Sequence, residues 1–296
     1  MATLVCANHP TKDLRVPGSI HEGGGAAPRW ESMNRLSWRP QGGDSGENQR
    51  IAGETTRPVA STMAAMGHVL SLRTVYEIAR VTLPTYVESF RGEVSPDLVD
   101  DRLAEFARRV VANTRMELHV EGRERVPSDR AFVYMSNHQS HMDIPVLYAT
   151  IPARTLRMVA KKELFRIPFW HRVLRAVGMI EVDRQHRSKA VASLEGAAAQ
   201  LRRGTSIWIA PEGTRSRTGE LGPLKKGGFH LARSAGAPII PVALTGTHSV
   251  LPPGTLQTRA GCRIRVVFGE PIDVEGHEVA DLMADVESFL RANVGR

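Results

Sequence analysis

Apolar positions show almost no periodicity over residues 1 to about 62. Gly23-Gly24-Gly25, Gly42-Gly43 and scattered prolines and arginines break up any run, so a disordered extension is expected there. If translation starts at Met63 or Met66, the segment is instead upstream sequence. From Met63 the pattern changes. Val69, Leu72, Val75, Ile78 or Ala79, Leu83, Val87 and Phe90 recur every three to four residues, an apolar stripe along a helix. Arg73, Glu77 and Arg80 fall on its other side, and Pro84 is expected to kink or divide it. Ser95-Pro96 is an N-cap followed by proline at the first helical position. Leu98, Leu103, Phe106 and Val110 carry a second helix to about Asn113. The stripe of the first helix has two readings: it packs on the rest of the protein, or it lies in a bilayer interface.

After Arg115 short apolar runs alternate with helical stretches. The strands expected are Met116–Val120, Ala131–Met135, Leu156–Ala160, Met179–Val182, Ser206–Ala210, Pro238–Leu244 and Arg263–Phe268. The clearest helices are Ser188–Arg203, Gly227–Ala235 and Val279–Asn293. This alternation predicts an α/β fold, a mixed and largely parallel sheet flanked by helices. The expected organisation is therefore an extension over 1–62, a two-helix amphipathic, membrane-associating element over 63–115, and an α/β domain over 116–296. In such sheets ligand sites gather at strand ends.

The charge of +8 suits an anionic partner, nucleic acid or an acidic membrane face. No recognisable nucleic-acid recognition motif accompanies it, so nucleic acid is not expected as a partner. No run of 18 or more uncharged apolar residues exists to span a bilayer, and the N-terminus lacks a secretory signal pattern. Cys6 and Cys262 sit in unrelated contexts and are not expected to pair.

Chemistry concentrates at strand ends. Ser136-Asn137-His138-Gln139-Ser140-His141-Met142-Asp143 follows one strand and precedes the apolar run Ile144–Ile151. Asp143, in the first turn of the next helix, can reach back to one imidazole nitrogen of His138, leaving the other free as a general base. That is a triad's base and orienter without a protein nucleophile, and a substrate hydroxyl would fill the gap. The same residues admit plainer readings: Ser140 and Asp143 fit a helix cap, and His138, His141 and Asp143 are metal-ligand types, though no second cluster supports a metal. No Gly-x-Ser-x-Gly elbow is present.

Ile209-Ala210-Pro211-Glu212-Gly213-Thr214-Arg215-Ser216 follows another strand. It offers a glycine for close backbone approach and a guanidinium for phosphate, or simply a solvated turn. Lys161-Lys162-Glu163-Leu164-Phe165-Arg166-Ile167-Pro168-Phe169-Trp170, leading to Gly178 and Arg184, interleaves cations with apolar side chains. Such a segment suits a phosphate head beside an acyl tail, or is a basic amphipathic helix of no special role.

In this order, these segments and the apolar strand Pro238–Leu244 resemble the glycerolipid acyltransferase superfamily that includes 1-acylglycerol-3-phosphate acyltransferases. The resemblance covers roughly residues 116 to 250. It implies His138 as general base, Asp143 as its orienting carboxylate, Glu212, Gly213, Thr214 and Arg215 as the acceptor-phosphate and supporting block, and Lys161 and Arg184 as further phosphate contacts. It implies transfer of a fatty acyl group from acyl-CoA or acyl-carrier protein to 1-acylglycerol 3-phosphate, giving phosphatidic acid, with no metal and no other cofactor. Glycerol 3-phosphate, another lysophospholipid or a lyso-aminolipid are alternative acceptors, and a catalytically silent membrane-binding module is the rival of another class. The family further implies a peripheral or monotopic enzyme on the cytoplasmic membrane face, bound to anionic lipid. Two positions depart from the family pattern: Ala210 stands where Phe is common, and Glu181 where an apolar residue is usual.

Overall fold

The computed structural model describes residues 57–92, 94–182 and 187–294, all within one unit spanning Thr55–Arg296. The expectation for residues 1–56 lies outside the described residues, as does Arg184. Helices α1 (Arg57–Glu88) and α2 (Pro96–Asn113) lead into β1 (Glu117–Glu121), β2 (Val133–Ser136), α3 (Asp143–Thr150), β3 (Leu156–Lys161), α4 (Pro168–Ala176) and β4 (Ile180–Val182). There follow α5 (Arg187–Arg202), β5 (Ser206–Ile209), α6 (Gly227–Ala235), β6 (Ile239–Thr245), the four-residue α7 (Thr247–Val250), β7 (Arg263–Phe268) and α8 (Val279–Asn293).

The seven strands form one sheet in the order β1-β7-β6-β2-β5-β3-β4. Pairing is parallel throughout except between β6 and β7. A parallel return needs a long crossover, usually a helix; between β6 and β7 the chain carries only α7, and β7 runs back along its neighbour. The mixed sheet expected from sequence is therefore observed, with its reversal at one side.

Strand alternation builds a core on both faces. Val133 and Met135 of β2 pack with Leu201 of α5, Phe229 of α6 and Leu282 of α8, whereas Phe132 and Tyr134 point the other way, to Val146 and Leu147 of α3 and Val110 of α2. β6 does the same, with Ile239 and Ala243 on one face and Ile240, Val242 and Leu244 on the other. This places β2 in the middle of the sheet, between β6 and β5, with its C-terminal end held on both sides.

Two expectations about the first helix need correction. It begins at Arg57, not Met63, since a proline at position 58 is tolerated in a first turn where the amides have no helical partner anyway. Nor does Pro84 divide it: α1 is one 32-residue helix. The carbonyls of Ile78 and Val81, in the turn before the proline, accept hydroxyl hydrogen bonds from Thr82 and Thr85 at 2.9 and 2.7 Å.

The stripe faces outward. Leu72 is 69% exposed, and Met66, Val69, Val75, Tyr76, Leu83, Val87 and Phe90 are all exposed. The inner face mixes small, polar and apolar residues, with Gly67, Leu70, Glu77, Thr82 and Thr85 buried and Val81 and Tyr86 packed beside Val99 and Leu103. That face is held by specific bonds. Ser71 Oγ donates to the Leu256 carbonyl at 2.6 Å, Arg102 of α2 makes a two-point bond to Glu88 at 2.6 and 2.7 Å, and Arg172 of α4 donates to Ser89 while lying 3.6 Å over the Phe90 ring. Of the two readings, packing of the stripe on the main body is excluded. Among the described residues no helix is long and apolar enough to cross a membrane.

Candidate active site

The site is built where β2 stops. Asn137 continues the ladder with its side chain: Nδ2 donates to the Leu244 carbonyl at 2.8 Å, and the Leu244 amide donates to Oδ1 at 2.8 Å. A side-chain amide thus substitutes for a peptide, and the main chain is free to turn away carrying His138. The Nδ1 of His138 lies 2.6 Å from Asp143 Oδ2. That oxygen also accepts the amides of Gln139 at 2.7 Å and Ser140 at 3.0 Å. The expected reach of the first helical turn back to the imidazole is therefore present, and the same oxygen ties down the Gln139 and Ser140 amides, while the N-cap position of α3 is Met142, with no side-chain cap bond. Asp143 is fully buried, whereas the His138 side chain keeps 18% exposure. With Nδ1 bound to the carboxylate, Nε2 is the nitrogen left for a substrate.

Neighbouring segments fix the His138 peptide itself. After β5, Glu212 turns back so that Oε1 accepts the His138 amide and Oε2 the Gly222 amide, both at 2.8 Å, and the Ser216 amide donates to the His138 carbonyl at 2.7 Å. Both oxygens of Glu212 are thus engaged by backbone, so it falls on the supporting side of the role expected for its block, not among the acceptor contacts. Burial pushes the Glu212 carboxyl above its ordinary pKa, and the two amides oppose that shift. Gly213 has φ +72°, and a Cβ there would come within 3.0 Å of Lys225 Nζ, so both its conformation and its neighbour call for glycine. Its amide closes the turn onto the Ala210 carbonyl at 3.0 Å. A donor for a developing oxyanion must therefore come from a neighbouring amide, not from Gly213.

Lys161, the last residue of β3, is exposed, as is Thr214, and Arg215 is half-buried. His141 is exposed at its surface, and its pKa is lowered by partial desolvation and by the charges of Arg215, His138 and Lys161, with Asp143 opposing. The loops after β2 and β5 are joined directly, through Glu212 and Ser216 on the His138 peptide. Glu181 pairs with Arg175 of α4 at 3.6 Å, and Ala210 packs against the apolar cluster beneath. Among the described residues no group of three or more His, Cys, Asp or Glu side chains is arranged to hold a metal.

Sequence reasoning missed four supports. Trp208 of β5 meets the His138 ring edge to face, with centroids 5.5 Å apart and planes at 86°, and its Nε1 is fixed by Ser136 Oγ at 2.8 Å. Gln139 Nε2 donates to the Gly219 carbonyl at 3.0 Å, and Ser140 Oγ to the Leu251 carbonyl at 2.9 Å. The polar run Asn137, Gln139, Ser140 beside the histidine was the available signal, but its partners lie far along the chain.

Comparison with known proteins agrees with this geometry. Residues 117–245 match the family described as Acyltransferase. The 1-acyl-sn-glycerol-3-phosphate acyltransferase of Haemophilus influenzae is 36% identical over 178 residues, covering 57% of this chain and 72% of that protein. The chain belongs to the acyltransferase family. The chloroplastic 1-acyl-sn-glycerol-3-phosphate acyltransferase BAT2 of Brassica napus is 34% identical over 167 residues, 56% of this chain and 47% of its own length. The chain thus spans about half the length of that plant relative. The crystal structure of the 1-acyl-sn-glycerophosphate acyltransferase PlsC from Thermotoga maritima superposes with a TM-score of 0.66 at 27% identity, covering 78% of this chain and 96% of that one.

Proposed function

We propose that the chain transfers a fatty acyl group from a thioester, acyl-CoA or acyl-carrier protein, to the free hydroxyl of 1-acylglycerol 3-phosphate, working on a membrane surface at its cytoplasmic face. The observation that carries this reading is the 2.6 Å contact between His138 Nδ1 and a fully buried Asp143, on a ring that keeps 18% exposure. The names of the relatives support the acceptor. The outward apolar ridge of α1, flanked by Arg73, Arg80 and Arg91, supports the membrane, because an interfacial helix buries such a ridge while its arginines reach the phosphates. That ridge also favours a lipid acceptor over water-soluble glycerol 3-phosphate.

In the proposed step the acceptor hydroxyl donates to His138 Nε2, with its phosphate held by Arg215 and Lys161. The imidazole takes the proton as the oxygen attacks the thioester carbonyl, and Asp143 stabilises the imidazolium. The oxyanion is met by an amide of the Thr214–Arg215 segment, which runs beside the His138 peptide. The tetrahedral species collapses, the C–S bond breaks, and the imidazolium returns its proton to the departing thiolate. No covalent acyl-enzyme is needed, so kinetics should be sequential. His138→Ala should lower kcat by about 10²–10⁴-fold in a purified-protein assay with an acceptor and donor panel, and near-normal turnover would remove the assignment. Arg215→Ala should harm phosphate-bearing acceptors selectively, and an equal loss on a phosphate-free acceptor would contradict its role.

A further inference from the structure

Helix α1 is gripped along one flank at both ends, and each gripping segment carries exposed apolar side chains of its own. Near the start, Ser71 Oγ donates to the Leu256 carbonyl at 2.6 Å and meets Thr258 Oγ1 at 2.9 Å, while the Thr258 amide donates to the Gly67 carbonyl at 3.3 Å. A Cβ on Gly67 would lie 3.3 Å from the Thr258 carbonyl oxygen, so this loop rests against the helix backbone itself. Near the end, Arg172 of α4 donates through Nε to Ser89 Oγ and through Nη2 to the Ser89 carbonyl, both at 2.8 Å, and the Tyr86 and Phe169 ring centroids are 4.7 Å apart. Ser89 still follows the helix, its amide bonding the Thr85 carbonyl at 3.0 Å. Ser71 and Ser89 are eighteen residues apart, about five turns and about 27 Å, so both grips lie on one line of the helix. α2 takes the other flank, through Arg102 on Glu88.

Outside α1 and Phe90 just beyond it, the large apolar side chains exposed among the described residues are Leu98, Val120, Leu164, Ile167 and Leu256. Three of these five sit on the two gripping segments. Leu256, 80% exposed, is in the loop between α7 and β7, and Leu164 and Ile167 are in the turn that leads from Lys161 into α4. The charges on these segments are one-sided. Arg73, Arg80, Arg91, Lys161, Arg166 and Arg259 are exposed, whereas Glu77 is buried against Arg80 and Glu88 is tied to Arg102. Among the described residues of the three segments, Glu163 is the one exposed carboxylate. A second copy of the chain would bring like charges face to face, because a two-fold contact pairs a patch with itself. An anionic bilayer takes both the apolar tips and the cations.

We propose that the membrane contact is a face of three parts, the α1 ridge, Leu256 at one end and Leu164 with Ile167 at the other, so that the α/β domain itself rests in the interface of an anionic phospholipid bilayer. This rests on the membrane reading above and deepens it. β2, β5 and β3 are parallel neighbours, so the end of β3 that carries Lys161 lies on the same edge of the sheet as the ends that lead to His138 and Glu212. Leu164 follows Lys161 by three residues. The bilayer therefore meets the protein on the edge of the sheet that carries the site, and a lysolipid reaches His138 along the interface instead of through water.

The test uses the full chain with Cys6→Ser and Cys262→Ser, and adds one cysteine at a time to carry an environment-sensitive fluorophore. The positions are Leu72→Cys on the ridge, Leu256→Cys, Ile167→Cys, and Asp285→Cys on the exposed side of α8 as the reference. Vesicles of phosphatidylglycerol mixed into phosphatidylcholine, with brominated acyl chains as the quencher, are then added. Labels at Leu72, Leu256 and Ile167 should shift to the blue and be quenched, and the label at Asp285 should keep its aqueous spectrum. In the unlabelled chain, Leu256→Ser and Ile167→Ser should each weaken vesicle binding by about tenfold, the scale of partly burying one large aliphatic side chain, and Leu256→Met should restore it. A label at Leu256 or Ile167 that stays aqueous while the one at Leu72 is quenched would overturn the three-part face and leave α1 as the whole contact. Burial of those two labels in lipid-free protein as its concentration rises would also overturn it, because a second copy would then cover the face. A label at Leu72 that vesicles leave untouched would instead bring down the membrane reading underneath.

Discussion

Helices α1 and α8 both repeat apolar residues every three to four positions and use them in opposite senses. In α8 the repeat Leu282, Val286, Leu290 is fully buried against the sheet, while Asp281, Glu287 and Arg291 face water. In α1 the repeat faces out and the inner surface mixes hydroxylated residues with Leu70, Val81 and Tyr86. Burying Thr82 and Thr85 costs little, because each hydroxyl bonds a carbonyl of its own helix four residues back. α8 is thus held by apolar area removed from water, which is non-directional. α1 is held by directed bonds, Ser71 to the Leu256–Thr258 loop, Arg102 to Glu88 and Arg172 to Ser89 just past its end, together with the apolar contacts of Val81 and Tyr86 on α2 and α4. A regular apolar stripe establishes that a helix forms and meets an apolar medium. It does not say whether that medium is the protein's own core or something outside it.

The sharpest way to break this contrast is by truncation. Leu282→Ala in α8 should cost about 2–5 kcal/mol in denaturant unfolding, the range for a fully buried leucine, whereas Leu72→Ala in α1 should stay within about 0.5 kcal/mol. Equal destabilisation would mean the α1 ridge is covered within the folded protein. Next in size is membrane affinity. Leu72→Ser with Leu83→Ser should weaken binding to anionic phospholipid vesicles by about 10–100-fold, given roughly 1.5–3 kcal/mol per leucine as the upper bound for full burial. The same pair should leave turnover of a dispersed short-chain acceptor nearly intact. Undiminished flotation with vesicles would detach the ridge from the membrane reading.

The last expected effect concerns the strand-end site. Because burial raises the Glu212 pKa above its usual 4.5, this group's stability contribution is complete below that value and is lost as pH rises through the raised one. Glu212→Gln should flatten this slope in thermal melts over the mildly acidic range. It should also weaken the site by about 1–3 kcal/mol, because a neutral amide cannot accept both the His138 and Gly222 amides. An unchanged slope would place the pH dependence elsewhere.

Much of this arrangement was legible in the chain. The α6, α8 and β7 boundaries fall where local periodicity put them, since these elements answer to patterns a few residues long. Asp143 reaching back to His138 was legible for the same reason, as five residues separate them. Less legible was the division of labour at the rim. Glu212 and Arg215 sit three apart in one turn, yet one is consumed by amides of distant segments and the other is left to the solvent side.

The sequence by itself determined which segments become strands and helices, that chemistry gathers at strand ends, and that one histidine is paired with one carboxylate. Only the tertiary structure decided the strand order with its single reversal, the Asn137 side chain completing the ladder of β6, the clasp of Glu212 on the His138 amide across 74 positions, and the outward turn of the α1 ridge. The physical reason is range. Dihedral preference and periodicity act between neighbours, whereas pairing, burial and the direction a helix faces depend on what distant parts of the chain bring to the other side.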